Sequence, residues 1–516
     1  MGESKLKRSR AKEMLLSCAG VQTAGGRVQV RWEADGAATP MGQLAYFIEF
    51  LTLTGLWSGW QDGCPLSYVS PNAPSKADVL GTWMLSILSG HRRYSHVTTI
   101  RCDGVNPELL GMNKVISEDA LRRALLAIPE EAGVIWLNGH LSESTAPLLD
   151  VPWVLDIDTT IKPLYGKQEG AVVSYNPKKP GRPSHSYHTY LMAGLRLVMG
   201  VEVKAGNEHS GRHTLPGLLR LLDALPAHHK PKMVRGDCGF GSDGIMRELE
   251  ARAQPYLFKL RLSKNVKRHI ERLFRVSGWT DAGQGWEGID STLVLTGWER
   301  ARRVAVLRRP LQGEMLVAQE DDGQPLLGFI EADRQGGKRI TGYEYAVLVT
   351  NLVHEILSLG PLYRDRADAE NTFDELKNQW GWGGFTTQDL HRCQLSARAV
   401  ALIYNWWSLF VRLANPEARL EAITSRPWLM SSVGRRTEHA GQTTITLTGQ
   451  HAYFDKARQV LTAISSQLQA WLSEAAEQLK SRSVWMRCCE HLKRALAAVG
   501  PPPPLRLLTD HANSVG

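Results

Sequence analysis

The stretch Val151-Pro-Trp-Val-Leu-Asp-Ile-Asp158 decides how the rest of the chain is read. It is a short apolar run closed by two acidic residues, which predicts a buried strand ending in carboxylates. Lys232-Met-Val-Arg-Gly-Asp237 has the same design. Ala171 to Tyr175 and Thr189 to Val203 supply further strand material, and Pro255 to Leu262 another strand. Leu215 to Leu225 and Ser242 to Ala253 read as helices between them. Strands alternating with helices predict an α/β layer fold.

In open α/β sheets ligands gather at the carboxyl ends of the strands. Asp158 and Asp237 both sit at such ends. Two carboxylates from different strands can converge on a hard cation such as Mg²⁺, which prefers oxygen ligands. Asp237 also lies in Gly236-Asp-Cys-Gly239, where an aspartate could simply start a turn, and that alternative stays open. A third piece follows Leu362: Tyr363-x2-Arg366-x3-Glu370-x6-Lys377. On one helix, at roughly 100° per residue, these four positions share an arc of about 60°. Leu362, Ala369, Phe373, Leu376 and Trp380 form the neighbouring apolar stripe, which predicts burial against a sheet. A solvated helix flank would show the same polar arc.

Working outward, residues 1–145 read as a mostly helical N-terminal region. Leu44, Phe47, Ile48 and Leu51 recur at helical spacing, and Ser117 caps a helix with Glu118 and Asp119 in its first turn. Residues 146–276 hold the first part of the α/β core. Residues 277–340 are rich in Gly and Trp, with strand-like runs at Ser291 to Thr296 and Arg303 to Leu307, and predict a β-strand insertion. Tyr345 to Val349 returns to the main sheet, and 341–415 completes the core. The tail, 416–516, reads as helical. Long helices are predicted at about 362–380, 390–414 and 453–480, the last with an apolar face of Val460, Ile464, Leu468 and Trp471.

Composition narrows the function. The 516 residues are 43% hydrophobic and 22% charged, an ordinary globular balance. The 61 Lys and Arg exceed the 52 Asp and Glu, giving a net charge of +9 that favours a polyanionic partner. Seven scattered cysteines without a CxxC pair argue against a structural zinc site and suit a reducing compartment. The longest apolar stretch, Ala399 to Val411, contains Asn405 and is too short to span a bilayer, so a cytoplasmic protein without membrane contact is expected. Lys162, Tyr165, Lys167, Tyr175, Lys178, Lys179, Arg182, His185, Tyr187 and His188 interleave basic and aromatic residues after the first acidic strand, which reads as a DNA track or as a solvated loop.

With these residues in view, the chain resembles the DDE transposases of bacterial insertion sequences, in the branch carrying a Tyr-Arg-Glu-Lys pattern. Leu155-Asp-Ile-Asp158-Thr-Thr, Tyr165-Gly-Lys-Gln-Glu169, Tyr175-Asn-Pro-Lys-Lys-Pro-Gly-Arg182 and Gly206-Asn-Glu-His209 look like the insertion sequence 1380 family. The resemblance covers roughly residues 40–415. It implies an RNase H-like catalytic core interrupted by a β-strand insertion, with helical N-terminal and C-terminal regions. It implies Asp158, Asp237 and Glu370 as catalytic ligands of two Mg²⁺ ions, for which Mn²⁺ could substitute. Tyr363, Arg366 and Lys377 would hold DNA near the scissile phosphate, with Lys178, Lys179 and Arg182 alongside. The implied partners are double-stranded DNA, both terminal inverted repeats and target, and a second copy of the chain on that DNA. Trp279, Trp286 and Trp298 of the insertion would stack on a displaced base or pack a small core. Asp158 is taken as the first catalytic residue because Thr159-Thr160 follows it, with Asp156 as a neighbouring alternative.

Two other functions fit parts of the sequence. Asp156-Ile-Asp158-Thr-Thr160 also resembles the haloacid dehalogenase phosphatases, where Asp156 would be nucleophile and Asp158 general acid/base. A non-catalytic DNA-binding protein would need no acidic triad. The approach of Glu370 to the two aspartates separates these readings.

Overall fold

A computed structural model describes residues 19–32, 36–68, 70–174, 176, 179–310, 331–332, 340–477 and 483–498. Within them the N-terminal region opens with a hairpin, Ala19–Thr23 paired to Gly26–Val30, and then turns helical. The helices used below are α1 (Leu44–Leu53), α2 (Lys76–Leu88) and α3 (Glu130–Thr145). Ser75 and Asp78 form a reciprocal capping box on α2, and Ser117 accepts from the Ala120 N–H as its sequence position predicts. Leu44, Phe47, Ile48 and Leu51 are all buried.

The core follows as β1 (Val154–Pro163), β2 (Pro183–Met192), β3 (Leu197–Ala205), α4 (Gly211–Ala224), β4 (Met233–Gly236), α5 (Asp243–Ala251) and β5 (Tyr256–Lys259). β1 to β3 form an antiparallel meander, and β4 and β5 add in parallel beside β1. The spatial order is therefore β3-β2-β1-β4-β5. The strands β2 and β4, on either side of β1, are buried almost throughout, as strands covered on both faces should be.

The sheet does not stop at β5. β6 (Glu287–Leu293), β7 (Arg302–Pro310) and β8 (Tyr343–Thr350) continue it in the order β5-β8-β7-β6, all antiparallel. The strands read in the sequence as an insertion thus extend the main sheet from its β5 edge. Its tryptophans are half-buried against that extension. The Arg308 guanidinium lies 4.0 Å from the Trp279 ring centre, Arg309 4.9 Å from Trp286, and Arg302 5.3 Å from Trp298.

After β8 come α6 (Ile356–Arg364), α7 (Ala367–Asn378), α8 (Leu390–Ala414), α9 (Phe454–Glu477) and α10 (Val484–Ala498). The single helix predicted at 362–380 is two helices with a turn at Asp365 and Arg366. Arg235 donates to the Leu362 carbonyl, and the Arg366 N–H bonds to Tyr363 rather than to Leu362. The Leu362 oxygen is taken by another strand's side chain, so the i→i−4 ladder gives way to a tighter i→i−3 turn. α8 is buried on nearly every side, the mark of a central helix. Its Asn405 accepts from the Val198 N–H at 2.8 Å and donates to the Val198 C=O at 2.8 Å, pairing the free edge of β3. α1, α3, α8, α9 and α10 share one apolar core, and Gly434–His439 pairs with Ala37–Thr39, joining the N-terminal and C-terminal regions. Among the described residues no helix is long and apolar enough to cross a membrane.

Candidate active site

Strand register brings the first two carboxylates together. β1 and β4 pair in parallel with Val154 opposite Met233 and Ile157 opposite Gly236. One step further stand Asp158 and Asp237, side by side; Asp237 directly follows the last residue of β4, whereas Asp158 lies within β1, which pairs on with β2 as far as Pro163 instead of ending at Asp158 as its sequence predicts. Gly236 suits this spot because a Cβ there would lie 2.9 Å from the Phe240 ring and 3.1 Å from Ile157. Asp237 Oδ1 accepts from the Gly239 N–H at 2.9 Å, so this aspartate does start a turn while standing at the site.

The same register separates Asp158 from Asp156. Asp156 lies opposite Arg235 and is 1% exposed. Arg235 donates from Nε to Asp156 Oδ1 at 2.6 Å and from Nη2 to Oδ2 at 2.8 Å. Burial pushes the Asp156 carboxyl up, and the Arg235 guanidinium opposes it. With both oxygens engaged inside the protein, Asp156 cannot act as a phosphatase nucleophile. It serves as the anchor of Arg235, which in turn reaches the Leu362 carbonyl and places the α6–α7 turn over the sheet edge. Sequence reading missed Arg235. The available signal was its spacing, two residues before Asp237 as Asp156 is two before Asp158.

Arg366 is the hinge of the site. It is 6% exposed and stands at the head of α7. Its Nη2 lies 3.3 Å from Asp158 Oδ1, and its Nη1 donates to Glu370 Oε1 at 2.8 Å. One guanidinium therefore touches the first and the third acidic residue. Its Nε is buried without a hydrogen-bond partner. The Glu370 side chain is 65% exposed, so it meets the aspartates through Arg366 rather than directly. Among the described residues, the group of His, Cys, Asp and Glu whose ligand atoms all fall within 4.8 Å is Asp150, His228 and His229, at the other end of β1 and β4. There His229 Nε2 is 2.7 Å from Asp150 Oδ1, and Lys493 holds Asp150 Oδ2 at 3.0 Å.

Electrostatics tie the site together. Burial raises the Asp158 carboxyl to about 6; Arg366 pulls it down, Asp237 pushes it up, and Lys377 lowers it. Burial alone would lower the Arg366 guanidinium, but Asp158, Tyr363, Asp237 and Glu370 around it hold it above its ordinary value. Burial raises the Tyr363 phenol, opposed by Arg366 and reinforced by Asp237, Cys238 and Glu370. Asp158, Asp237, Tyr363, Arg366 and Glu370 thus form one electrostatically linked group. Lys377 lies farther along α7, beside Asn378 in the wall of a neighbouring cavity.

The basic–aromatic segment divides differently from its sequence pattern. His185, Tyr187 and His188 are not on a loop but inside β2. His185 Nε2 bonds the Glu169 carbonyl at 2.7 Å, and His188 Nε2 the Glu208 carbonyl at 2.6 Å. Both rings are fully buried, which removes them from any DNA track. Lys162 is buried and donates to Tyr187 Oη at 3.2 Å and to the Gly384 carbonyl. Tyr165, Lys179 and Arg182 are exposed, with Lys179 and Arg182 at 5.2 and 4.8 Å from the Tyr165 ring centre. Lys178 and Tyr175 lie outside the described residues.

Two carboxylates thus stand side by side on adjacent parallel strands, and an arginine joins one of them to a glutamate on the following helix. Residues 150–406 match the family model described as transposase DDE domain. No curated protein matches the chain. Among solved structures it is similar to a piggyBac transposase synaptic complex with hairpin DNA, at 10% identity over 93% of this chain and 90% of that one, with a TM-score of 0.35.

Proposed function

We propose that the chain cuts DNA at the ends of a mobile element and joins the freed 3′-hydroxyl to target DNA, with Asp158, Asp237 and Glu370 as its acidic triad. The observation that carries this reading is the β1–β4 register, which sets Asp158 beside Asp237 while Arg366 links Asp158 to Glu370. The β3-β2-β1-β4-β5 order, with an antiparallel meander leading two parallel strands, supports an RNase H-like core. The Tyr-Arg-Glu-Lys pattern supports placement in that branch of the bacterial insertion-sequence enzymes.

The donor set fits a divalent cation. It consists of oxygens only, which suits Mg²⁺ or Mn²⁺. Asp158 is crowded by burial and by Asp237, so added positive charge would relieve it. Asp158, Asp237 and Glu370 would hold up to two such ions, which supply stabilisation of the attacking and leaving oxygens when bound. Glu370 would exchange Arg366 for the ion, and its exposed side chain leaves room for that rotation.

The chain's own groups do the rest. Arg366, released from the carboxylates, offers a fork of donors to a phosphate, and its buried Nε gains the partner it lacks in the protein. Tyr363, kept as a neutral phenol by burial, can donate a hydrogen bond beside it. Lys377 adds charge farther along the strand. Two copies on paired DNA ends would perform the reaction in step.

The test is incubation of purified protein with DNA carrying the element's own ends, with and without Mg²⁺. Metal-dependent nicking at the ends, lost in Asp158→Asn, Asp237→Asn and Glu370→Gln with end binding kept, is the expected result. Binding without cleavage by the wild-type protein at any divalent-ion concentration would leave only a DNA-binding role.

A further inference from the structure

Beyond the carboxylates, two cavities open side by side between the N-terminal helices and the segment that follows α7. One, of about 260 Å³, is walled by Arg92, Lys162, Lys179 and Lys377 together with Thr160, Pro163 and Tyr165. The other, of about 440 Å³, is walled by Arg92, Arg93 and Arg122 with Ser95 and the stretch Gly383 to Thr386. They share Arg92 and Gly383, so they form one furrow. Its lining holds six distinct cationic side chains and no carboxylate. Outside the lining, Glu118 pairs with Arg122 at 2.7 Å.

The furrow is built, not incidental. Phe385 donates its N–H to the Arg92 carbonyl at 2.7 Å. A Cβ on Gly384 would lie 1.9 Å from that same oxygen, so only glycine lets the two segments meet. Phe385 takes a φ of +47°, unusual for a residue with a side chain, and is buried against Tyr94 at 5.3 Å between ring centres. Arg92 also donates to the Asn378 carbonyl at the end of α7. The N-terminal region is thereby fastened to the end of the helix that carries Glu370, with Arg92 and Arg93 both left exposed.

Six cationic side chains lining one furrow, with Glu118 outside the lining on Arg122, repel one another, and such a cluster persists most readily where a polyanion neutralises it. Lys377 stands at one end of the furrow, and its charge is felt at Asp158, so the furrow begins beside the acidic triad. We infer that this furrow is a second DNA-contact site, which holds the phosphate backbone of a single DNA strand running from the cut position past Lys377, Gly383 and Arg92 to Arg93 and Arg122. The inference rests on the proposed transposase reading, and it assigns Arg92, Arg93 and Arg122 a role that the Tyr-Arg-Glu-Lys pattern does not include.

The experiment titrates the full chain with a labelled mixed-sequence single-stranded oligodeoxynucleotide, and with the matching blunt duplex, across a salt series. Ca²⁺ replaces Mg²⁺ so that no cutting occurs. Each phosphate contact on a single strand contributes roughly 0.7 to the slope of log K against log salt. Arg93→Ala and Arg122→Ala should each lower the single-strand slope by about that amount, with a smaller change on the duplex, while Arg93→Lys keeps the wild-type slope. Nicking is measured separately on the wild-type chain with Mg²⁺: wild-type slopes that drop in the alanine variants while no nicking occurs would fail the catalytic reading and keep the furrow, so the two failures are told apart. Wild-type slopes in both alanine variants would overturn the inference, as would equal losses on both probes or a loss in Arg93→Lys equal to that in Arg93→Ala.

Discussion

Asp156 and Asp158 stand two residues apart on one strand, yet neutralising them should have opposite effects on stability. Asp156→Asn leaves the Arg235 guanidinium, whose side chain is 3% exposed, without a counter-ion inside the protein. Removing one partner of a buried ion pair costs about 3–5 kcal/mol, a large share of an ordinary domain's margin. For Asp158 the carboxyl is raised from 3.8 to about 6 in the folded chain. A raised carboxyl stabilises the fold while protonated. That contribution is complete below the unfolded value and is lost as pH rises through about 6. At neutral pH the ionised Asp158 therefore costs about 3 kcal/mol in the absence of metal. Asp158→Asn removes this cost and forfeits the contact to Arg366, so the variant should be at least as stable as the wild-type chain. Urea unfolding followed by tryptophan fluorescence, at neutral pH with a chelator, measures both. The expected result is a midpoint well below wild type for Asp156→Asn and at or above it for Asp158→Asn. Lowering the pH from neutral to about 5 should narrow the gap between Asp158→Asn and wild type. Equal losses in the two variants, or a wild-type midpoint for Asp156→Asn, would refute the assignment of Asp156 to structure and Asp158 to the site.

Two glutamates of α7 offer a parallel contrast. Glu370→Gln should leave the thermal midpoint almost unchanged, since the Glu370 side chain is 65% exposed and Arg366 keeps Asp158, so the loss should be about 1 kcal/mol or less, while cleavage is lost. Glu375 is 2% exposed and holds Arg419, the Trp380 Nε1–H at 3.1 Å and the Ala422 N–H at 2.9 Å. Glu375→Ala should lower stability by about 3–5 kcal/mol in denaturant unfolding, because those donors lose their acceptor inside the protein. Asn405→Leu keeps the side-chain size but strands the Val198 N–H and C=O, and a loss of about 2–4 kcal/mol is expected in the same assay.

What the sequence discloses follows from which forces are local. The two acidic strands were legible because a short apolar run leading to Asp needs no distant partner to be recognised, but the run of β1 beyond Asp158 to Pro163 was not, because it rests on pairing with β2. α8 was legible at both ends, with Asp389 capping its first turn and an apolar run filling its length. The break between α6 and α7 was not, because neither Asp365 nor Arg366 is a helix breaker. It follows from Arg235, distant in sequence, taking the Leu362 carbonyl. His185 and His188 looked like loop residues among Pro, Ser and Lys, and only the pairing of β2 with β1 and β3 shows them buried with backbone partners. The junction of β5 with β8 was equally hidden, since register between strands far apart in the chain leaves no periodic trace. The spacing of Tyr363, Arg366, Glu370 and Lys377 was visible, but a helical wheel could not show that Arg366 would stand between Asp158 and Glu370.

The central claim is that Asp158, Asp237 and Glu370 close on a divalent ion, and anomalous scattering from crystals of the chain grown with DNA and Mn²⁺ tests it most directly. The expected map has a manganese peak bonded to Asp158 and Asp237, with Glu370 turned from Arg366 toward the metal and Arg366 on a phosphate. A map with Glu370 still paired to Arg366, and manganese bound only at Asp150, His228 and His229, would contradict it.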